Sequence, residues 1–311
     1  MWGAGPNAIA QSDAYPTKTV RLVLPFPPGG TTDRIGRLVA EKLQPGLKQP
    51  VIVDYRPGAG GNIGSAVVAK APPDGYTLLF CSPVLAIAPS LYRNPGYDAL
   101  RDLAPISTVA TIPTILVVHP SVPVRSLREL IELARKNPGK LNYGSGGVGS
   151  SNHLAGELLQ VLAKVNIVHV PYKSTATAMY GLITGETAFV MITPTAALPL
   201  IQQGKMLALA VLRKERIAVL PNVPTSAQAG LPGWEVYGWY GLMAPAGTSR
   251  EIVNQLNTEI VKGLSSVDAR EALAKVGAEP WSSTPAEFSA FLKSETVRLA
   301  KLVRDAGIPA N

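Results

Sequence analysis

The segment that decides the fold reads VRLVLPFPPGGTTDRIGRLVAEKL and covers residues 20–43. Its first five residues are mostly apolar and β-branched, which predicts a strand over 20–24. From Thr32 to Leu43 the apolar residues recur at helical spacing, which predicts a helix with one buried face. A loop rich in proline and glycine joins the two. The segment therefore has the strand–loop–helix order of an α/β protein.

The same alternation continues along the chain. Further strands are predicted at 51–53, 77–81, 114–118, 141–143, 167–170, 188–192 and 207–212, with helices between most of them. The chain then ends in helices predicted at 249–264, 269–275 and 285–304, which have no new sheet to cover. We therefore expect these last helices to return to the first half of the molecule.

This pattern predicts an α/β protein with two lobes. Each lobe is expected to be a mainly parallel sheet covered by helices. Residues 1–112 and 240–311 are assigned to domain I, and residues 113–239 to domain II. The two crossing segments, near 108–118 and 234–243, would then form a hinge around a cleft.

Composition and charge exclude several classes of protein. The 29 basic and 21 acidic residues give a net charge of +8, but no Lys/Arg run or basic–aromatic pattern predicts nucleic-acid binding. A positive field would instead attract small anions to a cleft. The single Cys81 excludes an intramolecular disulfide and a cysteine-based zinc cluster. Because the three histidines are far apart in sequence, we expect no metal or other cofactor.

The loop after the first predicted strand is the first candidate site. Its glycines allow close backbone approach, and the N–H groups of Gly29, Gly30 and Thr31 would face the cleft. Such groups at a helix N-terminus form a seat for an anion. The alternative is an ordinary capped helix start, with Thr31 or Thr32 as the cap and Asp33 in the first turn.

A second glycine loop, GSGGVGSSNH at residues 144–153, also precedes a predicted helix. Its glycine spacing matches a dinucleotide-binding loop, but no acidic residue for ribose follows about 20 residues later. A carboxylate held by backbone N–H groups and by the hydroxyls of Ser145, Ser150 and Ser151 fits this loop better. For His153 we expect a structural hydrogen bond.

The cleft loops contain binding groups rather than catalytic groups. The sequence has no G-x-S-x-G nucleophile elbow and no H-E-x-x-H motif, and Cys81 is interpreted as a buried structural thiol. We therefore predict that the chain is not an enzyme, with a cleft hydrolase as the enzymatic alternative.

Residues 8–10, Ala-Ile-Ala, fit a signal-peptidase site. We expect an exported, periplasmic protein whose signal peptide is trimmed or replaced.

A set of motifs in a fixed order resembles one family. The motifs are PPGGxTDxxxR at 27–37, RPGAGGNIG at 56–64, PDGYTLL at 73–79, YGSxGxGSSxHLAGE at 143–157, VPYK at 170–173, LPNVPT at 220–225 and WYGLxAPAGT at 239–248. Their order is similar to that of the Bug family, the periplasmic solute receptors of tripartite tricarboxylate transporters. The resemblance runs from about Tyr15 to the C-terminus.

The resemblance implies two lobes that close on a small organic carboxylate. In the family the two glycine loops grip the carboxylate, largely through backbone groups and ordered waters. Carried over to this sequence, the ligand-binding positions are Phe26, Pro27, Gly29, Gly30 and Thr31 in the first loop and Ser145, Gly146, Gly149 and Ser150 in the second.

Three segments depart from the family pattern, and they bear on ligand identity. No glycine follows residues 171–173, no acidic or amide residue lies at 193–195, and residues 82–87 are more apolar than usual. If these segments line the distal pocket, the ligand is a monocarboxylate or dicarboxylate with an apolar or aromatic body. The distal positions assigned on this basis are Ser82, Val84, Tyr172 and Thr193.

The same resemblance implies partners. We expect a monomer that passes its carboxylate to the membrane subunits of a tripartite transporter or to a sensor kinase. A ligand-dependent adaptor of a two-component system is the alternative function.

Overall fold

The computed structural model describes residues 15–147, 150–305 and 307. The Ala-Ile-Ala pattern at residues 8–10 therefore lies outside the described residues. The described chain forms two sheets with helices packed against them. The first sheet is built from both ends of the described chain, and the second is built from its middle.

The first sheet and its helices form lobe I. Its strands are β1 (Val20–Leu24), β2 (Val51–Tyr55), β3 (Thr77–Cys81), β4 (Leu103–Ile112), β10 (Gly238–Pro245) and β11 (Glu279–Pro280). Its helices are α1 (Thr31–Leu47), α2 (Asn62–Ala69), α3 (Val84–Leu91), α8 (Arg250–Leu264), α9 (Val267–Lys275) and α10 (Pro285–Asp305). The strand order is β11-β4-β10-β3-β1-β2.

The second sheet and its helices form lobe II. Its strands are β5 (Ile115–Val118), β6 (Asn142–Ser145), β7 (Val168–Pro171), β8 (Phe189–Ile192) and β9 (Leu207–Val211). Its helices are α4 (Leu127–Lys136), α5 (Ser151–Ala163), α6 (Thr175–Ile183) and α7 (Pro194–Gln202). The strand order is β7-β6-β8-β5-β9.

The two-lobed α/β fold is confirmed, but the sheets are mixed rather than mainly parallel. Strands β1, β2 and β3 pair parallel, and so do β6, β7 and β8. Strand β10 runs antiparallel to both β3 and β4, and β5 runs antiparallel to β8 and β9. The physical reason is that β4 leaves lobe I and β10 returns to it. Two neighbouring segments that cross in opposite senses must pair antiparallel.

The two crossings lie side by side. The Leu212 N–H donates to the Thr114 carbonyl at 2.9 Å, and the Val236 N–H donates to the Leu212 carbonyl at 2.9 Å. Ile112 at the end of β4 pairs with Gly238 at the start of β10. The sheets thus meet at two adjacent connections. The division into residues 1–112 with 240–311 and residues 113–239 stays a prediction.

The C-terminal helices return to lobe I, where α8 and α10 pack on β4. Phe288 of α10 is fully buried and contacts Trp239 edge to face, with ring centroids 5.9 Å apart. Gly241 on β10 makes room for it, because a Cβ there would lie 2.3 Å from the Phe288 ring. The core of lobe I therefore depends on chain segments from both ends of the sequence.

The sequence analysis did not predict helices α3 and α7. Each is short and carries an interior proline, Pro89 or Pro199, which usually indicates a helix break. Residues 82–87, assigned above to the distal pocket, lead into α3, and Leu85 and Ile87 are buried. Among the described residues, no helix combines the length and apolarity needed to cross a membrane.

Shortening one buried side chain of α10 tests whether this helix belongs to the core of lobe I. Leu292 is fully buried, whereas Val297 on the same helix is 72% exposed. We expect Leu292→Ala to lower the free energy of unfolding by about 2–5 kcal/mol because it leaves a cavity. Val297→Ala should change it by less than about 0.5 kcal/mol. Urea unfolding measures both, and equal effects would contradict the packing of α10 described here.

Candidate ligand-binding site

The start of α1 is a helix N-terminus without a side-chain cap. Gly30 is the N-cap residue, with φ −89° and ψ −178°, and no side chain accepts a hydrogen bond from the first turn. Gly29 has a φ of +101°, a conformation that glycine adopts without strain. The residues from Pro27 to Thr31 are exposed. The first amide groups of a 17-residue helix thus remain available to an anion.

Asp33 holds this loop in place from inside the first turn. The Gly29 N–H donates to Asp33 Oδ2 at 2.9 Å, and the Tyr55 hydroxyl donates to Oδ1 at 2.6 Å. Arg37 donates from Nε to Oδ1 at 2.9 Å. Burial alone would raise the pKa of Asp33, but these hydrogen bonds outweigh it and lower the pKa. The Asp33 carboxylate is therefore ionised, and its oxygens accept hydrogen bonds from the protein itself.

The second loop is stabilised by side chains that turn inward. Ser145 is fully buried, and its Oγ lies 2.5 Å from His169 Nε2 and accepts from the Gly147 N–H at 3.0 Å. Ser150 caps α5 by accepting from the His153 N–H at 3.4 Å. The hydroxyl of Ser145 therefore shapes the loop. The predicted contact of Ser145 with a ligand stays a prediction. Gly149 lies outside the described residues, and its predicted contact also stays a prediction.

Asn152 connects the second loop to the rest of lobe II. Its Oδ1 accepts from the Gly146 N–H at 3.1 Å and from the Ser150 hydroxyl at 2.7 Å. Its Nδ2 donates to Thr175 Oγ1, on α6, at 3.2 Å. The side chain is buried, since Asn152 is only 3% exposed. One amide thus fixes both the loop and the start of α5 against a neighbouring helix.

The starts of α1 and α5 open on one cavity of about 320 Å³ between the lobes. Four of the residues predicted from the sequence line it, namely Phe26, Ser82, Val84 and Ser150. Ser151, whose hydroxyl the sequence analysis also named for the carboxylate, lines it as well. The sequence reasoning had not assigned the other lining residues, which are Thr32, Pro83, Ile87, Leu154, Val236, Tyr237, Gly238, Tyr240, Glu295, Arg298, Leu299 and Leu302. The cavity therefore takes residues from both lobes and from the returning crossing.

One wall of the cavity is apolar and comes partly from α10. Leu299 and Leu302 of α10 face it together with Ile87 and Leu154. Leu154, although it lies on α5 of lobe II, packs into the same buried cluster as Leu299. The sequence alone gave no signal for this wall, because nothing local indicates that α10 packs beside α3.

A charged pair on α10 also lines the cavity. Arg298 donates to the Glu295 carboxylate from Nε at 2.6 Å and from Nη2 at 2.9 Å. Its Nη1 donates to the Glu235 carbonyl, on the second crossing, at 2.9 Å. Glu295 is 5% exposed. The pair thus ties α10 to the crossing, and its charges compensate each other.

Two aromatic residues join the α1 start to the hinge. The hydroxyls of Thr32 and Tyr240 lie 2.9 Å apart, and the Tyr240 ring stacks on Phe80 with centroids 5.1 Å apart. Burial raises the pKa of Tyr240. The phenol is therefore neutral and can donate or accept a hydrogen bond at the cavity wall.

The remaining predicted residues that the structure describes do not line this cavity. Tyr172 packs behind the second loop, where added Cβ atoms at Gly144 and Gly181 would come within 3.3 Å and 2.2 Å of its ring and hydroxyl. Thr193 is the N-cap residue of α7. Pro27, Gly29, Gly30, Thr31 and Gly146 form the glycine loops beside the cavity rather than its lining. Their roles stay predictions.

The described residues contain no group of three or more histidine, cysteine, aspartate or glutamate side chains arranged to hold a metal ion. Cys81 is buried, and burial raises the pKa of its thiol. The thiol is therefore protonated and packed in the core, in line with its interpretation from the sequence as a buried structural thiol.

Two α/β lobes, two adjacent crossings and a cavity lined from both sides define a solute-binding protein of the two-lobed class. The sequence profile of the tripartite tricarboxylate transporter family receptor, TctC, matches residues 35–308. The chain belongs to this family.

Three solved structures show the same likeness over nearly the whole chain. Rpa4515 of R. palustris, solved with adipate, is 38% identical, with 96% of this chain and 100% of that chain covered and a TM-score of 0.78. The periplasmic binding protein BugD is 35% identical, with 96% and 100% covered and a TM-score of 0.75. MatC of Rhodopseudomonas palustris, with bound malate, is 31% identical, with 93% and 100% covered and a TM-score of 0.72.

Replacement of Asp33 tests its role in holding the first loop. At neutral pH we expect Asp33→Asn to lower the free energy of unfolding by about 1–3 kcal/mol, because it weakens hydrogen bonds to a buried charge. The folded pKa is lowered, so this contribution is complete above the ordinary pKa near 4 and is lost as pH falls through the folded value. The variant and the wild type should therefore converge in acid.

Urea unfolding at neutral pH and at about pH 3 measures this convergence. The exposed Asp74, which accepts only a local hydrogen bond from the Tyr76 N–H, provides the matched control Asp74→Asn. A change in Asp33→Asn no larger than in this control at neutral pH would contradict the proposed role.

Proposed function

We propose that this receptor captures a small organic carboxylate in the cavity between its lobes. One observation carries the proposal: the N-termini of two helices, α1 from lobe I and α5 from lobe II, open on the same cavity. Each helix start carries a partial positive charge and amide donors. A carboxylate placed between them would contact both lobes, so its binding energy would favour the closed arrangement.

In this proposal the backbone supplies most of the contacts to the carboxylate. The uncapped start of α1 offers amide groups around Gly30 and Thr31, next to the aromatic ring of Phe26 in the cavity wall. Ser150 and Ser151 line the cavity at the start of α5. The lining residues include no histidine, cysteine or lysine, and Glu295 is paired with Arg298. This composition supports binding without chemical turnover.

The body of the ligand is proposed to be apolar. The apolar part of the cavity lining consists largely of Val84, Ile87, Leu154, Leu299 and Leu302. Such a wall favours a methylene chain or an aromatic ring and leaves an ammonium group without a partner. Rpa4515 was solved with adipate, whose four-methylene chain has this character. Tyr172 and Thr193 would contribute to the distal end if lobe closure moves them toward the ligand.

The proposed setting follows from the family. A receptor of tripartite tricarboxylate transporters delivers its solute to membrane subunits, and BugD is a periplasmic binding protein. These likenesses support our proposal that this chain acts in the periplasm as the receptor of such a transporter, and we propose that it does so as a monomer.

A ligand screen tests the carboxylate class directly. Adipate, malate and benzoate are added to the protein, and unfolding is followed by thermal shift and calorimetry. A ligand at one hundred times its Kd should add about 2.7 kcal/mol of stability, which raises the Tm of a chain of this size by a few degrees. Tighter binding of adipate or benzoate than of malate supports the apolar wall, and the reverse order contradicts it.

Gly30 provides a sharper test of the helix start. A Cβ at Gly30 meets nothing within 4 Å, so both Gly30→Ala and Gly30→Asp should fold. An aspartate at this N-cap position accepts hydrogen bonds from the first turn, which leaves stability unchanged or slightly higher. It also places a negative charge where the carboxylate is proposed to bind. We expect Gly30→Asp to abolish binding.

Gly30→Ala serves as the matched control because it adds the Cβ without the charge. We expect it to weaken binding no more than about tenfold, or 1.4 kcal/mol. Affinities come from titration calorimetry with the tightest carboxylate of the screen. Equal affinity of Gly30→Asp and wild type would remove the α1 start from the site.

A further inference from the structure

Two histidines lie in contact beneath the second loop. The rings of His153, in the first turn of α5, and of His169, on β7, have centroids 4.2 Å apart. His169 Nε2 is 2.5 Å from Ser145 Oγ, which also accepts from the Gly147 N–H at 3.0 Å. The imidazole pair therefore contacts the loop that is proposed to hold the carboxylate.

One carboxylate and one phenol face this pair from the neighbouring elements of the described chain. Glu157 of α5 places Oε1 3.7 Å from His153 Nε2. The same carboxylate accepts from the Tyr143 hydroxyl at 2.8 Å and from Gln160 Nε2 at 3.0 Å. Tyr143 of β6 also stacks on His169, with centroids 5.1 Å apart. The charge of Glu157 is thus shared among several donors.

Burial disfavours a positive charge on this pair. Burial lowers the pKa of His153 despite Glu157. Burial also lowers the pKa of His169, and a charge on His153 would lower it further. Residues 144–153 contain no lysine or arginine. The side chains of the loop therefore carry no permanent positive charge, and His153 and His169 are titratable groups in contact with its described residues.

We propose that the His153–His169 pair takes up a proton when a carboxylate binds at the adjacent loop, so that affinity for anionic ligands rises as pH falls. This inference rests on the proposed function. The bound negative charge stabilises an imidazolium close to it, and by linkage the imidazolium stabilises the bound anion equally. Only one of two rings in contact takes the charge, because two adjacent imidazolium ions repel each other.

The direction of the pH dependence follows from this linkage. Above the pKa of the pair in the complex, the protein binds the anion without a proton and affinity is low. Below the pKa of the pair in the free protein, the imidazolium is present throughout and affinity is high. Between these values each binding event takes up a fraction of a proton. A shift of half to one unit corresponds to a gain of about threefold to tenfold.

Titration calorimetry with adipate and with malate, between about pH 5.5 and 8, measures this gain in the unmodified protein. Repeating the titration in two buffers of different ionisation enthalpy gives the number of protons taken up. Proton NMR of the imidazole rings with and without adipate reports the same event, and we expect the histidine resonances to titrate at higher pH in the complex.

Three variants separate the pair from other causes. His169→Gln keeps a polar atom near Ser145 but cannot titrate, and the double variant His153→Gln/His169→Gln removes both imidazoles. His119 lies at the far end of β5, 2.7 Å from Ser121 Oγ, so His119→Gln is the matched control. The titration of the ligand itself is common to all variants and cancels in the comparison.

We expect wild type and His119→Gln to show the gain in acid, and the double variant to lose it while still binding at pH 8. A wild-type affinity for adipate and malate that varies no more than in the double variant, with histidine resonances unmoved, overturns this inference and leaves the proposed function standing. Absence of binding by either ligand or by benzoate at every pH overturns both. The wild-type calorimetry and NMR decide the question even if the double variant does not fold.

Discussion

Strands β4 and β10 carry the chain between the lobes, and they are hydrogen-bonded to each other from the Leu103–Pro245 pair to the Ile112–Gly238 pair. Because the two crossings are neighbours in one sheet, the lobes are connected along one side and can form a cavity on the other. Strand β10 then brings Tyr240 and Gly238 to the cavity wall. The shape of the site follows from this single antiparallel pairing.

The same pairing explains how helix α10 contributes to the site. Gly241 on β10 leaves the space that Phe288 fills, and this contact fixes α10 against the first sheet. Further along the helix, Leu299 and Leu302 then line the cavity, and Arg298 reaches the Glu235 carbonyl of the second crossing. Helix α10, near the end of the chain, thus lines the same cavity as the start of α1, near the beginning of the chain.

Asp33 and Asn152, one charged and one polar side chain near the glycine loops, hold the loop backbone in position. Asp33 holds Gly29 and is itself paired with Arg37, while Asn152 holds Gly146 and Ser150. Loops fixed in this way keep their amide groups oriented before a ligand arrives, which reduces the entropy lost on binding. The two helix starts differ, since α5 has a serine cap and α1 has none.

The sequence by itself determined the local elements, because strand and helix periodicity and loop composition act over a few residues. It predicted β1, α1, β3 and the last three helices closely, and it identified both glycine loops. It did not predict strand β4 (Leu103–Ile112). It also missed α3 and α7, two short helices with interior prolines that tertiary packing stabilises. The family resemblance placed Phe26, Ser82, Val84 and Ser150 among the ligand-binding residues, and the structure places these four at the cavity.

Only the tertiary structure decided which distant segments meet. Four features bring together residues that are separated in the sequence or lie on different elements. They are the antiparallel pairing of β10, the apolar wall from α10, the Arg298–Glu295 pair with its bond to the second crossing, and the contact between His153 and His169. Periodicity describes which face of an element is buried, but it does not say what covers that face. The cavity between the lobes is made of such contacts, so its lining was fixed by the packing of the whole chain.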